Sequence, residues 1–338
     1  DRILERPNIS VLDDFFMLGG DSLNATQAIS RIKQRLAVDV SMSAFFDAAT
    51  VEALARHIEA GNLAASMPAA TADPLPADGS PQQLSYSQHR LYILSKLDLT
   101  DRAYEVAEVL LLRGKLNHRA LEQSISAITE RHDALRTTFQ DDDGTLVQVV
   151  HKHDPGRSSI VKQNSLGAAG DRTEALCRTV VSAMGKGRDL ATGPLIRVEL
   201  FQLDVDRHAL VVILHHLITD AWSQAIFWRE LQHCYSALVC NSSPDLAEIQ
   251  FDYRDFAAWQ AQWLKTSEAT RQRAYWRSQL EGLTALSVPA DRPRPPVWTG
   301  RGARYPVKFS QVLTRKLRSL SRQQGVTLFM TLMAAFQC

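Results

Sequence analysis

The sequence is poor in cysteine, in long apolar stretches and in charge of one sign. Its 338 residues include only four cysteines and no Cys-x-x-Cys pair, which argues against a zinc site or a disulfide framework and favours a reducing cytoplasm. No apolar run approaches the roughly 20 residues of a membrane span. The net charge is +1, so the basic surplus of nucleic-acid-binding proteins is lacking. We therefore expect a cytoplasmic protein that binds no metal, nucleic acid or membrane.

The two ends of the sequence lack the features of a complete chain. The first residues, 1–5, contain neither a starting methionine nor the basic segment of a signal peptide. The last residues, 327–338, have the pattern of an apolar helix with no capping residue after it. We therefore expect an excerpt from a longer polypeptide, with room for two or three folded domains.

Prolines cluster in one segment and mark a domain boundary. Residues 62–83 contain four prolines among small and polar residues, and such a segment buries too little surface to fold, so we predict a semi-extended linker. Before it, the pattern predicts short helices. Thr50 is a predicted N-cap, and Val51, Leu54 and Ile58 share one face of the helix that follows.

After the linker, strands alternate with helices, which predicts an α/β fold. Asn117 is the predicted cap of a helix whose apolar face is Leu121, Ile125 and Ile128. A second helix follows residue 220. Four segments have the pattern of strands, the last being a continuous apolar run typical of a strand buried on both faces: 106–112, 146–150, 196–203 and 209–214.

A serine stands at the predicted start of a helix before the linker. Ser22 follows two glycines and precedes apolar residues that recur with helical period. By position alone, an ordinary N-cap explains this pattern. The surrounding string DFFMLGGDSL, residues 14–23, resembles the attachment site of peptidyl carrier domains in nonribosomal peptide synthetases. This resemblance implies a small all-α bundle in which Ser22 carries 4′-phosphopantetheine, whose thiol would hold an aminoacyl or peptidyl thioester.

Two adjacent histidines end the apolar run. His215 and His216 are followed by Asp220, directly before the next helix. Neighbouring side chains at the end of a strand point to opposite faces, so the pair is not expected to bind one metal ion, and only one of them should face a given site. The residues alone leave two interpretations open, a catalytic corner or a pair of core histidines with satisfied hydrogen bonds.

These histidines lie in a longer string that resembles a known motif. The string LHHLITDAWS, residues 214–223, is similar to the His-His-x-x-x-Asp-Gly motif of condensation domains in nonribosomal peptide synthetases. Four other segments match that family in the same order: 84–92, 131–139, 253–259 and 291–295. The resemblance implies an incomplete chloramphenicol-acetyltransferase-like α/β lobe. It implies four regions, namely a carrier with a clipped first helix, the linker, a first condensation lobe and the start of a second, truncated lobe: 1–61, 62–83, 84–265 and 266–338.

By this resemblance, His216 is the active-site histidine. It would orient or deprotonate the acceptor amine, or stabilise the tetrahedral intermediate. His215 and Asp220 complete the catalytic motif as structural partners. Asp220 would be buried and paired with an arginine, Arg136 or Arg131.

The chain departs from the motif at one position, where Ala221 replaces the glycine. If that position needs a positive φ, alanine strains the backbone by roughly 1 kcal/mol or more. If the glycine only gives room, Ala221 narrows the site by one methyl group. Either effect would alter ordinary condensation activity.

The implied reaction is amide formation between the donor on Ser22 and an acceptor amine on a downstream carrier domain. A phosphopantetheinyl transferase and an upstream adenylation domain are the other implied partners. With most of the second lobe expected to be absent, residues 1–338 alone should accept the arm but form no amide bond. Two alternatives stay open, namely epimerisation of the carrier-bound residue and a non-catalytic carrier-plus-lobe fragment.

Overall fold

The computed structural model describes residues 3–4, 8–20, 22–36, 38, 40–60, 81–97, 104–154, 161–165, 172–184, 188–284, 286–287, 289–293, 302–303, 305–324 and 326–338. The chain divides into two compact units, Ala72–Arg301 and a unit formed by Asp1–Thr71 with Gly302–Cys338. Residues 62–80 of the predicted linker lie outside the described residues.

Short helices with hydroxyl caps occupy the start of the unit that contains Ser22, as predicted. They are α1 (Ser22–Leu36), α2 (Met42–Asp47) and α3 (Val51–Glu59). Ser41 caps α2, and its Oγ accepts the backbone N–H of Ala44 at 3.1 Å. Thr50 caps α3 as expected and accepts from Ala53 N–H at 3.0 Å. Each cap satisfies a backbone donor that has no partner within the helix.

Small and aromatic side chains fill the core between these helices. Ala25 and Phe45 are buried, and the Phe45 ring packs edge-to-face on Phe15 with the ring centroids 5.1 Å apart. Leu54 is buried as predicted, whereas Val51 is 57% exposed. Val51 is the first residue of α3, so the shared face predicted for it is wrong at that end of the helix.

Two further helices, α10 (Gln311–Gln323) and α11 (Leu328–Gln337), lie in the last part of the chain. Thr327 caps α11, because its Oγ1 accepts the backbone N–H of Met330 at 3.2 Å. The hydroxyls of Ser321 and Thr331 lie 2.7 Å apart and join the two helices.

The second unit is built on two β-sheets. Their strands in chain order are β1 (Gln82–Gln83), β2 (Glu105–Arg113), β3 (Thr137–Asp142), β4 (Thr145–Val150), β5 (Val161–Ser165), β6 (Ile196–Asp204) and β7 (Arg207–His215). One sheet has the order β1-β4-β3 and the other β2-β7-β6-β5. All pairs are antiparallel except β5 with β6. Because β1 belongs to a sheet, the predicted linker extends two residues too far.

The second unit also contains the helices α4 (Tyr86–Leu97), α5 (His118–Arg131), α6 (Arg172–Met184), α7 (Ala221–Val239), α8 (Tyr253–Trp263) and α9 (Ser267–Gln279). Of these, α5 and α7 pack on one face of the four-stranded sheet and α6 on the other. The α5 residues Leu121, Ile125 and Ile128 are buried against the sheet, and Asn117 caps that helix, as predicted. Helix α6 packs through Leu176 on the opposite face.

Strand β7 is an inner strand of the four-stranded sheet and ends at His215, directly before His216. Eight of its nine residues are buried, which confirms the prediction from its apolar run. Leu214 packs in the cluster that contains α5 and α7, whereas Ile213 packs in the cluster that contains α6. Successive side chains of β7 therefore face opposite layers, as strand geometry requires.

Candidate functional site

The backbone before Ser22 needs both of its glycines. Gly19 has φ of +99°, a left-handed conformation that side chains rarely adopt. A Cβ placed on Gly20 would lie 2.7 Å from the carbonyl oxygen of Phe15 and would also collide with its ring. Helix α1 then begins at Ser22 and has no acidic residue in its first turn. The N–H groups of a first helical turn favour a phosphate group, so this position fits attachment of phosphopantetheine.

The turn after β7 holds the imidazole of His216 in one tautomer. The backbone N–H of His216 donates to Tyr104 O at 2.7 Å, and its Nδ1 lies 2.7 Å from Thr219 O. A carbonyl oxygen can only accept, so Nδ1 carries the hydrogen and Nε2 of the neutral ring is an acceptor. His216 is exposed and lines a cavity of about 590 Å³. Nε2 can therefore accept a hydrogen bond from a bound molecule and take up its proton.

The neighbouring histidine is held for a different role. His215 is 1% exposed, and its Nδ1 accepts the backbone N–H of Leu217 at 3.1 Å. Burial, followed by the electrostatic effects of Arg188 and His216, lowers the pKa of His215 from 6.5 to about 4. His215 does not line the cavity. The ring is therefore neutral at physiological pH and acts as part of the core.

The expected partner of Asp220 is wrong. Asp220 is exposed and caps α7, where its Oδ1 accepts the backbone N–H of Ser223 at 2.8 Å and the Ser223 hydroxyl at 2.7 Å. The side chain is satisfied at the helix start, so it needs no arginine. Arg136 instead pairs with Asp133 and donates to the carbonyl of His151. Ala221 is the first residue of α7 and is exposed.

Arg131 also pairs elsewhere, in the wall of the cavity. Its Nε lies 3.3 Å from Oε2 of Glu230, and the same oxygen lies 2.7 Å from Nε2 of His132. Arg131 also donates to the carbonyl of Ala247. Glu230, a residue of α7, and His132 both line the cavity, so His132 forms part of the wall and Arg131 holds Glu230 in place there.

Below the cavity lies a buried ion-pair network that sequence reasoning missed. Nη2 of Arg254 lies 2.9 Å from Oδ2 of Asp133, and both side chains are less than 10% exposed. Arg136 approaches the other carboxylate oxygen of Asp133. The signal was available, because Arg254 stands in the segment 253–259 whose family resemblance is described above.

The first motif segment, 84–92, joins this network. The hydroxyls of Ser85 and Tyr253 lie 3.0 Å apart. Nε2 of Gln88 donates to Leu217 O at 3.4 Å, within the turn that carries His216. Segment 84–92 therefore contacts both 253–259 and 214–223, two segments that are distant from it in sequence.

Neither a metal cluster nor a membrane helix is found where the chain is described. Within those residues, no group of three or more His, Cys, Asp or Glu side chains could hold a metal ion. None of the helices in the described ranges has both the length and the apolar character needed to cross a bilayer.

Comparison with known families divides the chain in two. Residues 2–58 match the family model described as a phosphopantetheine attachment site, and residues 80–338 match the model of the condensation domain.

Curated relatives match almost the whole chain. A linear gramicidin synthase of Brevibacillus parabrevis is 40% identical over 341 residues, which cover 99% of this chain and 4% of that protein. Malpinin synthetase of Mortierella alpina is 34% identical over 342 residues, again 99% of this chain and 4% of the relative. The chain thus spans a small part of the length of the curated relatives it matches.

Solved structures match the second unit's architecture. The X-domain from teicoplanin biosynthesis is 29% identical with a TM-score of 0.58, covering 68% of this chain and 49% of that one. The starter condensation domain of rhizomide synthetase has a TM-score of 0.54 at 20% identity, covering 61% and 49%. The second likeness shows the fold alone.

Proposed function

Because the chain belongs to the condensation-domain family and has a phosphopantetheine attachment domain ahead of that domain, we propose that it forms an amide bond between carrier-bound groups. The donor is an aminoacyl or peptidyl group on Ser22. The acceptor is an amine presented by a downstream carrier domain. One observation carries this proposal: the imidazole of His216 is fixed through Nδ1 and presents an acceptor, Nε2, at a cavity.

The reaction makes one C–N bond, breaks one C–S bond and moves one proton from the amine to the departing sulfur. Phosphopantetheine on Ser22 supplies the thiol that holds the donor as a thioester. Nε2 of His216 fits as the group that accepts a hydrogen bond from the amine and takes its proton. Thr219 O keeps the ring in that tautomer. Asp220 and His215 act through the turn, one by capping α7 and the other by binding Leu217 N–H.

Several partners follow from this proposal. A phosphopantetheinyl transferase would modify Ser22, an adenylation domain would supply the donor, and a second carrier would bring the acceptor. We propose the regional boundaries predicted from the sequence, 1–61, 62–83, 84–265 and 266–338, with residues 82–83 moved from the linker to the first condensation lobe because they form β1. The free cysteines Cys177, Cys234, Cys240 and Cys338 favour the cytoplasm as the place of action.

A second candidate function is recruitment of another protein without condensation. One solved structure 28% identical to this chain, with a TM-score of 0.59, is a complex of the teicoplanin X-domain and OxyB. Ala221 in place of the motif glycine favours a site that differs from ordinary condensation domains. Two measurements distinguish these functions: formation of an amide product supports condensation, and capture of a partner protein without amide formation supports recruitment.

The attachment step is tested by intact mass. Residues 1–338, incubated with coenzyme A and a broad-specificity phosphopantetheinyl transferase, should gain one arm, and Ser22→Ala should gain none. Ser41→Ala is a matched control, since Ser41 caps the neighbouring α2, and it should still gain the arm. An arm on Ser22→Ala would contradict the assignment.

The amide-forming step is tested in the full natural protein that contains these residues. A donor is loaded on Ser22, a loaded acceptor carrier is added, and the dipeptidyl product is measured by mass spectrometry. We expect product on the acceptor carrier. Inversion of the α-carbon of the donor residue without any amide product would instead support epimerisation. If the protein catalyses neither reaction but still binds a partner protein, recruitment would be supported.

A further inference from the structure

The deep part of the cavity beside His216 is apolar. Leu135, Leu217 and Phe227 line it and are buried. His216 and Asp220 also line it and are exposed. The cavity therefore has a polar rim that carries the reactive histidine and a floor of aliphatic and aromatic carbon.

The most buried acidic group of the wall already has partners within the protein. Glu230 is the most buried acidic residue of the lining, being 8% exposed, and it is held by Arg131 and His132. Its carboxylate is thus not available to a cationic guest without loss of those bonds.

The second acidic group of the wall, Asp252, is partly buried and has a more distant cation. Arg254 lies 4.0 Å from Oδ2 of Asp252, and the Asp252 backbone N–H donates to Asp255 at 2.6 Å. Burial, and next the carboxylate of Asp133, raise the pKa of Asp252. The two other charged residues that line the cavity, Asp220 and Arg229, have opposite signs and are both exposed. An anionic guest would therefore lose water and gain no buried counter-charge.

We propose that this cavity selects an aminoacyl group with an uncharged, apolar side chain of leucine or phenylalanine size. The inference rests on the proposed function, since it takes the guest to be a substrate of His216. A volume of about 590 Å³ lies within the range of roughly 300–1,000 Å³ found for small-molecule pockets. The same chemistry fits a donor side chain and an acceptor side chain, so both are tested.

Binding of non-reactive probes tests the proposal without catalysis. The probes are pantetheine amides of leucine, asparagine, aspartate and alanine, of which the first three have nearly the same shape. N-acetylated probes imitate the donor, and probes with a free amine imitate the acceptor. Titration calorimetry with residues 1–338 should show leucine binding at least 10-fold tighter than alanine, because one buried methylene is worth about 10- to 200-fold and leucine has three more side-chain carbons than alanine. Asparagine and aspartate should bind more weakly than leucine, with aspartate the weakest.

A filled cavity provides a second test. Ala134 lines the cavity, so Ala134→Leu should weaken the leucine probe at least 10-fold and leave the alanine probe less affected. Ala225 lies on α7 and is exposed outside the cavity, so Ala225→Leu is the matched control and should not change either value.

The outcomes separate this inference from the proposed function. Equal binding of the leucine and aspartate probes, or no binding of any probe, would overturn the inference even if the full protein forms amides. A clear preference for leucine in a protein that forms no amide would overturn the proposed function and leave the selectivity of the cavity standing. If Ala134→Leu does not fold, the probe series on the unaltered chain still decides.

Discussion

His215 and His216 are neighbours in sequence, yet their imidazoles lie in opposite surroundings. His215 is closed into the sheet, where Leu217 N–H binds its Nδ1 and burial holds its pKa at about 4. His216 is exposed at a cavity, with Nδ1 bound by a carbonyl. The partner at Nδ1 is a donor in one case and an acceptor in the other, so the two neutral rings are opposite tautomers. Of the two histidines, only His216 lines the cavity, and Nε2 is the acceptor nitrogen of its neutral ring.

The two sides of this turn also differ in how their charges are held. Beneath it, Asp133 is buried between Arg136 and Arg254. At its open side, Asp220 is an exposed cap. The difference predicts that changes beneath the turn affect stability, whereas changes at the open side affect mainly the reaction.

The largest expected effect comes from His216→Ala. Loss of a positioned acid–base group should lower the rate of amide formation in the full natural protein by about 10²- to 10⁴-fold. The melting temperature and the attachment of the arm to Ser22 should stay near those of the unaltered protein, because the ring is exposed. A rate within a factor of two of the original would remove His216 from the catalytic role.

Asp133→Ala should have the largest effect on stability. It leaves the partly buried Arg136 without its carboxylate and the buried Arg254 with the more distant Asp252, 4.0 Å away, which costs about 3–5 kcal/mol of unfolding free energy. Urea denaturation measures this value. Asp204→Ala, which removes the acid of an exposed pair with Arg207, is the control and should cost less than about 1 kcal/mol. Equal losses in the two variants would show that the buried network does not stabilise the fold.

Acid should destabilise the protein through His215. Its folded pKa of about 4 lies below the ordinary 6.5, so between these values the unfolded chain binds more protons than the folded one. Stability is therefore full above pH 6.5 and falls as the pH drops toward 4, by about 3 kcal/mol in all.

The control for this pH effect is a variant that keeps the hydrogen bond to Leu217 N–H but has no side chain that gains a proton between pH 6.5 and 4. His215→Asn offers an amide oxygen to Leu217 N–H and should flatten the loss of stability between pH 6.5 and 4. His216→Asn should leave that slope in place. A slope unchanged in His215→Asn would assign the pH dependence to other groups.

Asp220→Ala should have the smallest effect of this series. Loss of an N-cap costs about 0.5–2 kcal/mol, and Ser223→Ala, which removes one of the two hydrogen bonds to Asp220, should cost less. Thermal denaturation of both variants provides the comparison. A loss of 3–5 kcal/mol for Asp220→Ala would instead indicate a buried ion pair, as the family resemblance implied.

Features with a local cause could be predicted from the sequence. The apolar run of β7, the caps Thr50 and Asn117, and the start of α1 at Ser22 depend on residues a few positions apart, and the structure has them as predicted. The family matches also confirm the order of a helical carrier followed by a chloramphenicol-acetyltransferase-like α/β domain. Strand β1 was missed because its two glutamines carry no apolar alternation.

Pairings between distant residues could not be predicted in this way. Arg254 and Asp133 meet although more than a hundred positions separate them, and no spacing rule connects them. Asp220 was assigned a distant arginine, yet the nearer solution was present in the sequence as Asp220-Ala-Trp-Ser223. A carboxylate directly before a helix finds backbone donors at once, and that local capture competes with any long-range pair.

The ladder between β2 and β7 has a consequence for how this protein folds. It pairs residues that are far apart in sequence, such as Glu105 with His215. Forming these pairs closes a long loop of the chain, and this closure costs conformational entropy. Such non-local pairing is slow compared with the formation of helices. The same ladder leads to the bond from His216 N–H to Tyr104 O. During synthesis, the helices that begin at Ser22 can therefore fold early, whereas His216 acquires its position only after β7 has been synthesised and has paired with β2.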